Sequence, residues 1–360
     1  MKILVGYLID GKFNGIDRYL MTMLTYLQDF DIQMDFISYN YNNELEQNLK
    51  KYNSKLFVVP NLKHPIKQYK EMQNILKQRR YDVCYFNISE AFNCIGILAS
   101  YKAKIRKVVV HSHNSQSGGK NLIVRNFRKC VHLVFKNKIS NCSTDRLACS
   151  NIAGKWMFNK DYKTIYNAVD YKLYKYNENK RIELQDIYGL EGYKILGHVS
   201  NFCYAKNTSF LIEVIHSLPD EYKLLLIGDG PEYSKCKELV SIYNLEEKVI
   251  FTGLVDNVYD YYNVMDALLL PSHFEGLPIV AIEAQYNGLK VFMSEHVTKE
   301  VKLFDSTQYI PLKKEAWISQ IMHSNLQRNA VSNEMVECFS LNTQKRKILK
   351  VFGLNNLMRG

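Results

Sequence analysis

Two successive series of short apolar segments, separated by helical patterns, organise this sequence. Segments rich in Val, Ile and Leu predict strands at 2–8, 32–38, 83–88, 107–112, 193–200, 222–230, 248–253, 266–272 and 289–295. Continuous apolar strands that alternate with helices are typical of parallel sheets covered on both faces. The sequence therefore predicts an α/β fold with two doubly wound, Rossmann-like domains that face each other across a cleft. A ligand is expected there, beyond the carboxyl ends of the strands.

The chain length also favours two domains, because 360 residues exceed what one core usually contains. The polar segment 172–192 is the expected linker. We predict an N-terminal domain at 1–180 and a C-terminal domain at 181–335. A last helix at 336–360 is expected to pack back towards the N-terminal domain.

Cysteine usage and hydropathy bear on the compartment. The eight cysteines form no C-x-x-C pair and do not cluster with histidine, which favours free thiols in a reducing cytoplasm over disulfides or a zinc site. No segment approaches the roughly 18 apolar residues of a membrane span. The expectation is a soluble cytoplasmic protein.

The net charge of +11 is unevenly distributed. Residues 1–180 contain 29 of the 47 Lys and Arg but 14 of the 36 Asp and Glu, a balance of +15, whereas the remainder holds 18 against 22, a balance of −4. Segment 120–138 combines basic and apolar residues, which fits either an amphipathic helix on an anionic membrane or a packed helix with a solvated basic face. Nucleic acid is not expected, because no aromatic platform or reading helix stands out.

The stretch HFEGLPIVAIEA (273–284) places Glu275 and Glu283 in an otherwise apolar run. Buried carboxylates need partners, so we expect both to reach either solvent or a ligand. Gly276 permits a sharp turn, and Pro278 fits the first position of a helix. The N–H groups of residues 276–279 would then form an anion site. A phosphate at these amides and hydroxyls at both glutamates indicate a sugar nucleotide.

Two further strand-to-turn junctions point the same way. GDGPE (228–232) follows a strand and allows a tight turn, although a plain connection between strand and helix explains it equally well. SNFCYAKN (200–207) places Lys206 just before a helix, where its ammonium and the helix amides could face one anion. A lone lysine in such a position is more often solvated.

With these segments in order, the sequence resembles the GT4-type retaining glycosyltransferases of the GT-B fold, in particular the bacterial capsular and exopolysaccharide branch. The resemblance rests on Glu-x7-Glu and on segments that follow the family's order, namely NGIDRYLMTML (14–24), HSHN (111–114), ACSNIAGKWMF (148–158), IYNAVD (165–170), GHVSNFCYAKN (197–207), GDGPE (228–232) and the run 253–284.

The resemblance implies catalytic roles for three residues. His113 would contact the transferred sugar, Lys206 would neutralise the departing diphosphate, and Glu275 would hydrogen-bond the donor sugar. We expect His113 and His111 to point in opposite directions along their strand, with one facing the ligand and the other packed inside.

The resemblance also implies a set of donor-binding residues. The first loop would approach the donor at Gly15, the helix amides would bind the diphosphate, Glu283 would bind the ribose, and the loop of Val255 and Asn257 would lie near the base. The full set is Gly15, Asn201, Gly228, Gly230, Val255, Asn257, Gly276, Leu277 and Glu283. Asn201 departs from the family, which usually has an arginine there.

The implied activity is sugar transfer, with retention, from a nucleotide sugar, expected to be UDP-linked, to a polyprenyl-diphosphate-linked saccharide. The protein would act in the cytoplasm, peripherally on the anionic inner leaflet of the plasma membrane. No metal or other cofactor is implied, because cationic side chains and helix dipoles stabilise the leaving group in this fold. Two alternatives stay open: a UDP-sugar 2-epimerase of the same fold, and a non-catalytic sugar-nucleotide-binding partner of a transferase complex.

Overall fold

Two parallel sheets organise the computed structural model, which describes residues 1–9, 15–118 and 121–354. The first unit comprises Met1–Ala168 and the segment from Asn342 onward, and the second comprises Val169–Leu341. In the sequence, the boundary between the two units therefore lies between Ala168 and Val169. Each unit is an α/β Rossmann-like domain, as the sequence predicts for the fold class.

The first unit has a seven-stranded sheet in the order β3-β2-β1-β4-β5-β6-β7, and every neighbouring pair is parallel. Its strands are β1 (Lys2–Leu8), β2 (Gln33–Ser38), β3 (Leu56–Val58), β4 (Val83–Ile88), β5 (Lys107–Ser112), β6 (Asp145–Ala148) and β7 (Lys163–Thr164). Its helices are α1 (Gly15–Leu27), α2 (Asn43–Lys50), α3 (Pro65–Gln78), α4 (Ile95–Lys102), α5 (Leu122–Cys142), α6 (Asn151–Met157) and, at the C-terminal end, α15 (Leu341–Phe352).

Both faces of this sheet are buried, which explains why its strands are apolar without alternation. Ile3 and Val5 belong to a core cluster that includes side chains of α1 and α15, whereas Leu4 belongs to a second cluster with side chains of α3 and α4. Successive residues of a strand point to opposite faces, so a strand with helices on both sides buries every side chain.

The second unit has a six-stranded sheet in the order β10-β9-β8-β11-β12-β13, again parallel throughout. Its strands are β8 (Lys194–Val199), β9 (Tyr222–Ile227), β10 (Val249–Gly253), β11 (Ala267–Leu270), β12 (Lys290–Ser294) and β13 (Gln308–Ile310). Its helices are α7 (Tyr171–Tyr174), α8 (Glu178–Tyr188), α9 (Thr208–His216), α10 (Tyr233–Ile242), α11 (Val258–Val264), α12 (Ile279–Tyr286), α13 (Lys314–Met322) and α14 (Asn333–Cys338), with a 3₁₀ turn at Lys299–Val301.

Strand order reverses between β8 and β11 in the second unit, because β9 and β10 lie on one side of β8 and β11 to β13 on the other. Ala267 of β11 pairs with Leu196 of β8. The loops that follow two such strands diverge and leave a crevice at the edge of the sheet, where ligands of doubly wound folds bind. Here these two loops contain Lys206 and Glu275.

Three global expectations can be compared with the described residues. All nine predicted strands are present, while β3, β6, β7 and β13, each of two to four residues, were not predicted. The eight cysteines are unpaired. In the part of the chain that the structure describes, no helix has the length and apolar content needed to cross a bilayer.

The turn after β9 depends on Gly228, which has a φ of +123° and whose Cβ position would lie 1.9 Å from the carbonyl oxygen of Ser200. Gly228→Ala should therefore add a backbone clash to the strain of a positive φ. Gly189 is a matched control, because its φ is +61° but a Cβ there meets nothing within 4 Å. We expect Gly189→Ala to cost about 1–2 kcal/mol and lower the melting temperature by roughly 2–8 °C. Gly228→Ala should lower it clearly further in a thermal unfolding scan, and equal losses would contradict this account.

Candidate functional site

An ion pair between Lys206 and Glu275 lies at the strand-order reversal of the second unit. Lys206 Nζ donates to Glu275 Oε1 at 2.6 Å, and Ser272 Oγ donates to the same oxygen at 2.8 Å. Glu275 is buried and Lys206 is half-buried. The structure thus brings together the two residues of this unit that the resemblance implied as catalytic.

Backbone contacts hold the two loops against each other. His273 N donates to the Ala205 carbonyl at 2.8 Å, and Asn207 Nδ2 donates to the Pro271 carbonyl at 3.2 Å. Asn207 has a left-handed backbone with φ of 55° directly before α9. Asparagine tolerates this conformation better than most residues, which lets the chain turn from Lys206 into the helix.

Helix α12 begins at Ile279, with Pro278 as its N-cap residue. Pro278 therefore precedes the helix and does not occupy its first position, and the expectation of N–H donors at each of residues 276–279 was wrong because proline has no N–H. Gly276 and Leu277 precede the helix and are buried at the same sheet edge as Glu275. Their proposed contact with a diphosphate stays a prediction.

Glu283 is buried on α12, and each of its carboxylate oxygens accepts a hydrogen bond from a tyrosine. Tyr174 donates to Oε1 and Tyr262 donates to Oε2, both at 2.7 Å. We expected the two glutamates to reach solvent or a ligand, but Glu283 and Glu275 both have partners within their own domain. A carboxylate has about four acceptor sites, and the two tyrosines use two of them. The ribose contact of Glu283 stays a prediction.

The glycines of the turn after β9 are explained by packing against the turn after β8. A Cβ on Gly230 would lie 2.3 Å from Asn201 Oδ1 and 2.5 Å from the Phe202 carbonyl oxygen. Phe202 N donates to the Asp229 carbonyl, and Glu232 N donates to the Phe202 carbonyl. Gly228 and Gly230 are therefore required by the fold itself, whether or not a ligand approaches them.

Loop 254–257 follows β10 at the same edge, since Gly228 N donates to the Gly253 carbonyl at 2.9 Å. Val255 is half-buried, while Asn257 is exposed and donates through Nδ2 to Asp260 at 2.8 Å. Together, the loops 200–207, 228–232, 254–257 and 271–278 are all described, and Lys206 is the one lysine or arginine among their residues. An anion at this edge would have Lys206 as its cationic partner from these loops.

In the first unit, His113 follows β5 and is fixed by Asn87 of β4. Its Nε2 lies 2.9 Å from Asn87 Oδ1, and Asn87 Nδ2 donates to the Gly6 carbonyl at 3.4 Å. With the amide oriented by that carbonyl, Oδ1 is an acceptor and His113 must carry its proton on Nε2. Burial lowers the pKa of His113 to about 3, so the ring is neutral. Nδ1 is then a buried acceptor, for which the described residues supply no hydrogen-bond partner.

His111 and His113 do not point apart, and that expectation was wrong. Their ring centroids are 4.2 Å apart, because residues two positions apart on a strand share a face. His111 Nδ1 is 2.6 Å from the hydroxyl of Tyr85, which is 2.6 Å from the hydroxyl of Tyr19. Burial and the neighbouring His113 lower the pKa of His111.

Gly15 is the first residue of α1 and is exposed. The adjacent Asn14, which belongs to the predicted donor loop, and Lys120 of the basic segment lie outside the described residues. Asp17, in the first turn of α1, accepts a hydrogen bond from Ile9 N at 2.9 Å. Within the described ranges, no group of three or more His, Cys, Asp or Glu is arranged to hold a metal ion.

Sequence reasoning missed the groups that hold these side chains in place. They are Asn87 for His113, Ser272 for Glu275, and Tyr174 and Tyr262 for Glu283. Ser272 had a local signal, because it lies three residues before Glu275 in the same turn. The others are distant in sequence and none had a pattern of its own.

Nitrogen-15 NMR of histidine side chains can check the tautomer of His113. We expect its Nε2 to be protonated and its shifts not to titrate between pH 5 and 8, because its pKa is about 3. His198 is an internal reference for the opposite tautomer, since its Nδ1 donates to the Leu269 carbonyl at 2.8 Å and its pKa is about 4. Asn87→Ala should convert His113 to a mixture of tautomers. A proton on Nδ1 in the unmodified protein would disprove the assignment.

Three relatives place this chain among known proteins. It is 27% identical to EpsF of Bacillus subtilis (strain 168), a proposed glycosyltransferase, over 80% of this chain and 77% of that one. It is 28% identical to the capsular polysaccharide biosynthesis glycosyltransferase CapH of Staphylococcus aureus, over 77% and 78%. It is 25% identical to the UDP-Gal:alpha-D-GlcNAc-diphosphoundecaprenol alpha-1,3-galactosyltransferase of Escherichia coli, over 66% and 65%.

The fold has a solved counterpart in Anabaena HepE in complex with UDP and glucose. The TM-score is 0.75 at 18% identity, over 99% of this chain and 98% of that one. The family model for glycosyl transferases group 1 matches residues 180–305, which include Asn201, Lys206, Glu275 and Glu283. Residues 180–305 are thus a glycosyl transferases group 1 domain, and the chain has the GT-B fold.

Proposed function

We propose that this glycosyltransferase is of the retaining GT4 type and transfers one sugar from a UDP-sugar to a lipid-linked saccharide. The product would be an intermediate in the assembly of a capsule, exopolysaccharide or O-antigen. CapH is named for capsule biosynthesis, and the Escherichia coli relative is named for a UDP-sugar donor and a diphosphoundecaprenol acceptor. These names support the donor class and the acceptor class. The place of action that we propose is the cytoplasmic face of the plasma membrane.

The observation that carries the proposal is the ion pair of half-buried Lys206 with buried Glu275 at the strand-order reversal. A lysine ammonium has three donors, so it can keep Glu275 and still bind a diphosphate oxygen. The carboxylate of Glu275 is an acceptor and suits a sugar hydroxyl. The start of α12, directly after Glu275, adds amide donors and the positive end of a helix dipole.

The loops after β8 and β11 would therefore bind both the phosphates and the sugar of the donor. In the transfer, the bond between the anomeric carbon and the diphosphate oxygen breaks while a bond to the acceptor oxygen forms. The proton of the acceptor hydroxyl leaves with the released nucleoside diphosphate, so no protein base is needed. Lys206 stabilises the negative charge that develops on the leaving group. The contact of His113 with the transferred sugar, which the resemblance implies, is part of this proposal.

Lys206→Ala should weaken donor binding by about 10- to 100-fold, the usual cost of losing a charged hydrogen bond. The measurement is the thermal shift produced by a panel of UDP-, GDP- and TDP-sugars. Lys194→Ala is the matched control: Lys194 starts β8, whose carboxyl end leads to Lys206, and it donates to Glu221 at 2.6 Å. It should keep the full shift, because it lies at the other end of the strand.

The panel also tests the proposal as a whole. Absence of any shift with every nucleotide sugar would overturn it. Release of a free 2-epimeric sugar from UDP-GlcNAc without acceptor would indicate the epimerase instead. The third test uses cells that contain only the Lys206→Ala and Glu275→Ala double variant. Normal polysaccharide assembly in these cells would exclude catalysis and favour a non-catalytic partner of a transferase complex.

Asn201→Arg should strengthen donor binding by several-fold. Asn201 is exposed beside Gly230, and Lys206 is the one lysine or arginine in the loops 200–207, 228–232, 254–257 and 271–278. A second cation would share the diphosphate charge, and guanidinium suits phosphate geometry. Asn201→Gln is the uncharged control of increased length. Equal affinity of the arginine and glutamine variants in a donor titration would show that the diphosphate does not lie near this position.

A further inference from the structure

Helix α5 (Leu122–Cys142) has apolar side chains on its exposed side as well as on its packed side. Its buried side chains are His132, Ile139, Ser140 and Cys142. His132 stacks on Trp156 with ring centroids 3.7 Å apart, and its Nδ1 accepts from Ala91 N. The packed side of α5 is therefore partly polar.

The opposite side of α5 presents an apolar stripe to the surface. Ile123 is 80% exposed, Phe127 is 69% exposed and Val134 is 74% exposed, and Cys130 between them is also exposed. These positions are spaced by four, three and four residues, which places them on one face of a helix over about 16 Å. We call Ile123, Phe127, Cys130 and Val134 the outer stripe. Such spacing normally marks the face that packs into a core.

Basic residues accompany the outer stripe, and the helix contains no Asp or Glu. Lys129 and Lys138 are exposed, whereas Arg125, Arg128 and Lys136 are partly buried, and Arg128 forms an ion pair with Glu90. Long basic side chains can extend past an apolar face and keep their charges at a polar boundary. An apolar stripe flanked by cations complements the surface of an anionic bilayer, which offers acyl chains beneath negative headgroups.

We infer that α5 is the membrane-contact element of this protein and lies flat on an anionic bilayer, with the outer stripe inserted at the level of the upper acyl chains. This inference rests on the proposed function, which gives the enzyme a lipid-anchored acceptor. It goes further in assigning the contact to one helix and one face. The amino-acid chemistry of the stripe selects a lipid surface over an acidic protein surface, because a purely charged partner would leave Ile123, Phe127 and Val134 unburied.

The test measures binding of the full chain to phosphatidylcholine vesicles with and without phosphatidylglycerol, by co-sedimentation. The triple variant Ile123→Gln, Phe127→Gln, Val134→Gln should bind anionic vesicles at least about tenfold more weakly, since it loses the three apolar side chains that insert into the bilayer. The matched control is Ile182→Gln, Ile187→Gln, Ile242→Gln, which replaces three exposed isoleucines on α8 and α10. It should bind like the unmodified chain.

A charge variant separates the two contributions. Lys129→Gln with Lys138→Gln should weaken binding to anionic vesicles by about fivefold for each lysine that approaches the surface, and added salt should reduce that difference. Binding to pure phosphatidylcholine should be weak for every variant. Equal loss for outer-stripe and control variants would overturn the inference.

Two further results would also overturn it. The first is failure of the unmodified chain to bind anionic vesicles. The second is a dimer that dissociates in the outer-stripe variant without any vesicle binding, which would make this face a contact between copies. Donor-induced thermal shifts are measured in parallel on each variant. Loss of vesicle binding with a full donor shift leaves the proposed function intact, whereas vesicle binding without any donor shift would remove the proposed function and retain the membrane contact.

Discussion

Helices cover both faces of each parallel sheet, and this constraint leaves the strand ends as the place where polar side chains can meet a ligand. In the second unit, β8 lies between β9 and β11, so loops after three adjacent strands come together at one edge. Lys206 and Glu275 are brought into contact by this topology although 69 residues separate them. The glycines of the β9 turn follow from the same crowding, because the β8 turn occupies the space above them.

A buried charge must have a partner even when no substrate is bound, and this shapes the site. Lys206 and Glu275 neutralise each other, and two tyrosine hydroxyls satisfy both oxygens of Glu283. A binding donor therefore meets groups that are already oriented and already desolvated. Such a site loses little by reorganisation when the leaving diphosphate develops charge, which is the condition under which fixed dipoles and cations are most effective.

The sequence was sufficient for the features that local pattern controls. Apolar runs identified nine strands, and the residues after β8 and β11 identified Lys206 and Glu275. It was insufficient where a long-range contact decides. Tyr174 lies 109 positions from Glu283, and Asn87 lies 26 positions from His113, so no period or spacing relates them. Strands of two or three residues, such as β7, are too short to show a pattern, and their pairing is fixed only by the neighbouring strands.

The same limit applies to the basic segment, whose composition fitted a packed helix and a membrane helix equally well. The exposure of its side chains supports the membrane contact that we propose. Helix α1 buries Tyr19, Leu20, Met23, Leu24 and Leu27, as an amphipathic helix on a sheet must. Helix α5 packs through His132, Ile139, Ser140 and Cys142 and leaves Ile123, Phe127 and Val134 exposed. Core packing does not require that arrangement, and exposure to water disfavours it, so the apolar face is best explained by contact with a second apolar phase. A bilayer is such a phase, and the proposed acceptor is anchored in one.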